Sequence, residues 1–155
     1  MKKMVGCLIL FVAVFCLYGC QNEKDVDIGQ LSDELSNLSG FPEMQQVGRN
    51  DIGEYFDINA DDVKELVAKV SSDNMRAEEI ILIQAVSDDK AKEIVSSLED
   101  HLKSQKNSYK NYNPAEYSKI KDVKVNRKGS YVYYVVGPSK SDTDKVLAKY
   151  FSHPA

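Results

Sequence analysis

Glu79-Ile80-Ile81-Leu82-Ile83-Gln84-Ala85-Val86 is the stretch on which the fold turns. Four consecutive apolar residues leave no polar face, so the segment reads as an inner strand with both faces at least partly covered. Its neighbours bound it. Ser87-Asp88-Asp89 starts a long helix whose first turn is acidic and whose last turns carry Lys103 and Lys106, each sign matched to the helix dipole. Ala91, Ile94, Val95, Leu98 and Leu102 recur at helical spacing and form its buried stripe.

Working outward, Ile28, Leu31, Leu35 and Leu38 predict an amphipathic helix over residues 27–38 that ends near Gly40, before Phe41-Pro42. A short helix is expected from Asn50 or Asp51 through Ile52, Tyr55 and Phe56. Residues 63–71 are divided: Val63, Leu66, Val67 and Val70 have helical spacing, yet β-branched content favours a strand. Asn113-Pro114-Ala115-Glu116 supplies an N-cap, a proline at the first helical position and a glutamate at the third, so a brief helix follows. Alternation over residues 122–127, a Lys128-Gly129 turn and a return over residues 131–136 predict a hairpin, with Tyr131 and Tyr133 on one face and Tyr134 on the other. Ser141 with Asp144 is read as the cap of a last helix bearing Val146, Leu147, Tyr150 and Phe151. The expected architecture is α+β: a small, mainly antiparallel sheet of three to four strands with helices packed on one side.

The N-terminus is of a different kind. Lys2-Lys3, an apolar run over residues 4–17 and Leu17-Tyr18-Gly19-Cys20 have the charged, apolar and cleavage regions of a lipoprotein signal peptide. As a helix the run would reach only about 21 Å against a hydrocarbon core of roughly 30 Å, too short to span it. Residues 1–19 are therefore expected to be removed and Cys20 to be lipidated. Acyl chains on that sulfur would supply on the order of 20 kcal/mol of membrane affinity, which amounts to permanent attachment. Residues 20–27 then form a polar tether, and residues 28–155 a single extracytoplasmic domain. Cys7 and Cys16 leave with the signal, so neither an intrachain disulfide nor a thiolate metal site is open to the mature chain.

Charge divides the chain in two. Residues 23–100 carry 20 acidic and 7 basic side chains, whereas residues 101–155 carry 4 acidic and 11 basic ones. Either the halves complement one another across a solvated surface, or Lys103, Lys106, Lys110, Lys119, Lys121, Lys124, Arg127 and Lys128 form a basic face for anionic headgroups or wall polymers. Nucleic acid is a poor partner for an extracytoplasmic chain without a recognition motif.

Taken together, the acidic N-terminal helix after a lipobox, Tyr55-Phe56-Asp57-Ile58, Ala77-Glu78-Glu79-Ile80 entering the central strand, the helix from Asp88, Tyr112-Asn113-Pro114 and Gly129-Ser130-Tyr131-Val132 form an ordered series. This series resembles a family of bacterial lipoproteins known only as a domain of unknown function, DUF4358. The resemblance covers most of residues 28–151. It implies a small extracytoplasmic lipoprotein of the Gram-positive type, and it brings no catalytic residues with it.

Candidate chemistry is sparse. Asp57-Ile58-Asn59-Ala60-Asp61-Asp62 begins like a calcium loop, but Asp62 stands where glycine is needed and Ala68 where the bidentate glutamate belongs, so it reads as an Asx-rich turn. His101, read as a surface residue, and His153, near the C-terminus, have no ligand partners at metal spacing, and no cofactor motif is present. Alternation should send Glu78 and Glu79 to opposite faces, and Asp88 and Asp89 diverge around a helix, so neither couplet is read as a general acid/base pair. Tyrosines are concentrated in one quarter of the chain beside the basic residues. Tyr109, Tyr112, Tyr131 and Tyr133 with Lys119, Lys121, Lys124, Arg127 and Lys128 are accordingly the candidate binding surface.

Two function classes follow: a noncatalytic binding or interaction module that recognises an envelope protein, a peptide or a wall polymer, and an envelope-acting hydrolase whose site is assembled from residues distant in sequence. Both place the domain outside the cytoplasm. Replacing Cys20 with Ser should move the protein from the membrane fraction to the soluble fraction, and undiminished membrane recovery would rule lipidation out as the attachment.

Overall fold

The computed structural model describes residues 25–151. Helix α1 (Ile28–Ser36) is followed by strand β1 (Met44–Gln46), helix α2 (Ile52–Phe56), a 3-10 turn (Ala60–Asp62) and strands β2 (Val63–Ser71) and β3 (Glu79–Ala85). Helices α3 (Asp88–Tyr112) and α4 (Pro114–Ile120), strands β4 (Asn126–Lys128) and β5 (Tyr131–Val136) and helix α5 (Lys140–Phe151) complete it. The strands form one five-stranded antiparallel sheet in the order β1-β2-β3-β5-β4. Both edge strands are three residues long, and β4 is Asn126-Arg127-Lys128.

Every residue of β3 is buried. Ile81 and Ile83 face a core shared with Ile94 and Leu98 of α3, Phe56 of α2 and Ile120 of α4, with Val132 and Tyr134 from β5 beside them. Ile80 and Leu82 face the other way, onto Leu31 and Leu35 of α1 and Val146 and Phe151 of α5. Helices therefore cover both sides of the sheet, not one, and the strands number five rather than three or four. The physical reason lies in the Ile80-Ile81-Leu82-Ile83 run, which has an apolar face in each direction and is stable only between two layers.

Local rules account for most element ends. Asp27 caps α1 by accepting a hydrogen bond from Gln30 N at 2.8 Å, and Ser87 caps α3 by accepting from Lys90 N at 3.2 Å. Asn113 ends α3 and starts α4, accepting from Glu116 N with Pro114 at the first helical position. Residues 63–71 are a strand, paired with β1 and β3. The hairpin's first strand spans only Asn126–Lys128 and turns through Gly129 at φ +54°; its tyrosines alternate as expected, Tyr131 and Tyr133 against α5, Tyr134 against α3. Ser139, not Ser141, caps α5: its Oγ accepts from Asp142 N at 3.4 Å, and Lys140 is already helical. Folded contacts begin ahead of α1. Val26 N donates to Tyr131 Oη at 3.0 Å, and Tyr131 Oη in turn donates to Asp25 Oδ1, fastening the N-terminal strap to the α1/α5 face.

If both layers are structural, truncation on either face should cost alike. Leu82→Ala and Ile81→Ala should each lower unfolding free energy by about 2–5 kcal/mol in urea titrations. A near-neutral Leu82→Ala would show the α1/α5 layer to be dispensable.

Candidate functional site

Two concave features lie on the α3/α4 side of the sheet. The first is a groove of about 440 Å³ between α3 and the chain that follows α4. Lys103, Lys106 and Lys110 fall on one stripe of α3 at helical spacing, and Lys124 faces them from the other wall. Leu102, Tyr117, Val123 and Val125, which belong to or pack on the core, supply its apolar lining. Lys106 bridges the walls, its Nζ donating to Val123 O at 2.6 Å. Burial, aided by the neighbouring Lys124 charge, holds the Lys106 ammonium below its ordinary value against the attraction of Asp122.

The ion pairing of the lysines is uneven. Lys90, Lys92, Lys119, Lys140, Lys145 and Lys149 each lie within ion-pair distance of a carboxylate. Among the described residues no carboxylate lies within that distance of Lys103, Lys110 or Lys124, although Glu99 borders the groove.

The second feature is a polar cavity of about 160 Å³ at the entrance to β3, bordered by Glu78, Glu79, Arg76, His101, Gln105 and Tyr109. Because β3 begins only at Glu79, strand alternation does not separate Glu78 from its neighbour, and both carboxyls border one cavity, contrary to the sequence expectation. His101 Nε2 lies 3.2 Å from Glu79 Oε1, and Gln105 Nε2 donates to that same oxygen at 2.8 Å. Tyr134, fully buried, donates its hydroxyl to Glu79 Oε2. His101 is thus only partly exposed, set edge-on against Phe56 with ring centres 4.8 Å apart.

Glu78 has no exposed side-chain surface and accepts from Arg76 Nη2 at 2.7 Å and from Lys119 Nζ at 2.9 Å. Burial alone would raise its carboxyl, but these two cations outweigh burial and hold it below its ordinary range. Lys119 also donates to Glu116 Oε1 at 2.6 Å, while Glu116 Oε2 accepts from Ala77 N at 2.9 Å. Tyr109 closes the cluster by donating to Arg76 O at 2.6 Å; burial first, then the surrounding carboxylates, push its hydroxyl up to about 12. Among the described residues no group of three His, Cys, Asp or Glu side chains is placed to hold a metal ion.

A family model, described as a domain of unknown function (DUF4358), matches residues 38–137. The chain belongs to the DUF4358 family. No curated protein and no solved structure matches it. The DUF4358 segment contains the whole sheet with α2, α3 and α4, so it includes both concave features, whereas α1 and α5 lie outside it.

Within this DUF4358 segment the residues expected to share one binding surface are split between two faces. Tyr131 is 3% exposed in the α1/α5 core, where Gln84 Nε2 also donates to its hydroxyl at 3.0 Å. Tyr133 stacks on Phe151 of α5, with ring centres 3.9 Å apart and planes inclined by 5°. Tyr109 lies across the sheet from both, buried, and Tyr112 is 83% exposed at the last residue of α3. Lys124 lines the groove, Lys119 is drawn into the Glu78 and Glu116 pairs, Lys121 is exposed just past α4, and Arg127 and Lys128 occupy the β4 edge. Cys20 and His153 lie outside the described residues. The Glu79, His101 and Gln105 cluster went unforeseen because its members are 22 and 26 residues apart. The one available signal was His101 at the edge of the apolar stripe of α3, four residues before Gln105.

The Glu78 carboxyl, depressed in the fold, contributes stability above its unfolded value near 4.5 and loses it as pH falls through the lower folded value. Glu78→Gln should therefore destabilise by about 1–3 kcal/mol at pH 7, with the gap to the parent narrowing in acid. Unfolding free energies at pH 7 and pH 3 check this, and an equal gap at both would mean that the charge is not the cause.

Proposed function

We propose that the mature chain, acylated on Cys20, is held at the extracytoplasmic face of the cell membrane and acts there as a noncatalytic binding module of the envelope. The observation that carries this reading is the contrast between the two concavities. The groove presents ammonium groups that have no carboxylate partners among the described residues, beside an apolar lining, an arrangement suited to recognition. Glu78 and Glu116, by contrast, are occupied by cations and backbone donors that also hold α4 to the start of β3. The lipobox and the short apolar run support the address.

A second reading, an envelope hydrolase, draws on one specific contact: His101 against Glu79 beside a cavity. The two readings differ in what they leave behind. Incubated with isolated envelope, the full-length protein should co-sediment without altering it chemically, and mass spectrometry should detect no new soluble fragments. Release of fragments by the parent but not by Glu79→Gln would replace the binding reading with the enzymatic one.

A further inference from the structure

We infer that the groove between α3 and the Val123-Lys124-Val125 segment binds a linear polyanion, specifically a flexible chain of phosphodiesters joined by short carbon linkers. The inference rests on the binding reading above and names its ligand. Lys103 and Lys110 are seven residues apart on α3, so their backbone positions span about 10 Å along the helix, room for successive anionic groups of an extended chain. Lys124 meets that chain from the opposite wall. These three side chains are exposed and have no carboxylate partner among the described residues.

Phosphate suits this donor set better than carboxylate does. All the cations lining the groove are lysines, compact charges with freely rotating donors that tolerate a phosphate turning in place, whereas planar bidentate carboxylate recognition favours arginine. Between the charges lies apolar surface from Leu102, Tyr117 and Val123, which fits a carbon linker between phosphates. Nucleic acid is a worse match, because single strands call for exposed aromatic platforms and the ring here, Tyr117, is partly buried.

A bilayer is the other source of phosphate, and the position of the anchor argues against it. The N-terminal strap is fastened by Tyr131 on the α1/α5 face, and Asp25 is only five residues from Cys20, at most about 18 Å of chain. The α3 wall of the groove, with Lys103, Lys106 and Lys110, lies on the far side of the sheet, while Lys124 stands at the rim, where it also borders a pocket with Lys140 and Asp144 of α5. A lipidated domain thus has its tether on one face and the α3 wall of its groove on the other, where a polymer reaches it and its own membrane does not. The concavity agrees, since headgroups of a flat bilayer meet convex or flat patches more readily than opposed walls.

The test uses the full-length protein reconstituted in phosphatidylcholine vesicles, with a fluorescent glycerol-phosphate oligomer as probe. The parent should bind it with a marked salt dependence. Lys103→Ala/Lys110→Ala/Lys124→Ala should weaken binding by about tenfold or more and lower the log–log salt slope by about two. Lys64→Ala/Lys145→Ala/Lys149→Ala removes the same charge away from the groove and should stay within about threefold of the parent. These exposed positions leave the fold intact, which unfolding curves for both triple variants verify. Equal losses in the two triples, or no binding by the parent, would overturn the inference. So would equally tight binding of a polyglutamate of matched charge, or loss of oligomer binding when phosphatidylglycerol is added to the vesicles at about 0.15 M salt. In each of those cases the binding reading itself stands or falls separately, on whether intact envelope is bound unaltered.

Discussion

A central strand with no polar face sets the conditions for everything else in this molecule. β3 is buried along its whole length, so its two rows of side chains each need an apolar partner layer. α3, with α2 and α4, covers one row, and α1 with α5 covers the other. The Tyr131 clamp follows from the same constraint. Once the α1/α5 layer is closed over the sheet, a phenol hydroxyl buried beneath it requires partners, and the strap at Asp25 and Val26 together with Gln84 provides them.

Polar groups are consequently displaced to the ends of the strands. Where the chain enters β3, Arg76, Glu78, Glu116 and Lys119 neutralise one another, and their hydrogen bonds tie the loop before β3 to the start of α4. Breaking such a network is costly because Glu78, left without its cations, is a charge with no exposed side-chain surface. Among the described residues, Lys103 and Lys110 of α3 have no carboxylate partners. Under the binding proposal, the difference between neutralised and unpaired charge within one face separates the scaffold from the recognition surface.

Much of the fold was written locally. The caps at Ser87 and Asn113 and the stripe of α3 are short-range rules, and they placed the starts of α3 and α4, while α3 runs on to Tyr112, beyond the turns of Lys103 and Lys106 that the sequence marks as its last. Misreadings arose where the decisive partner is far away. β1, Met44-Gln45-Gln46, has no strand pattern of its own and exists because it pairs with the last residues of β2. Helices were expected on one side although the apolar run of β3 already implied cover on both; the α1 stripe could not declare which side of the sheet it would occupy. At the candidate site, the lysine positions were legible as charge, but their sorting into paired and unpaired was not. That depends on contacts such as Lys149 to Glu34, which span 115 residues. Likewise tyrosine clustering in sequence misled, since the alternation recognised in the hairpin sends Tyr131 and Tyr133 into the core behind the sheet.

The brevity of the two outer strands has its own consequence. A sheet rim offers unpaired amides to any neighbour able to lend a strand. Here each rim provides three residues, one of them led by Asn126 and followed by two cations in Arg127 and Lys128. Such a rim gives an incoming strand too few hydrogen bonds and too much repulsion between copies to support end-to-end stacking or amyloid-like growth. Neither short rim is therefore a ready template for strand addition by a second copy of the chain.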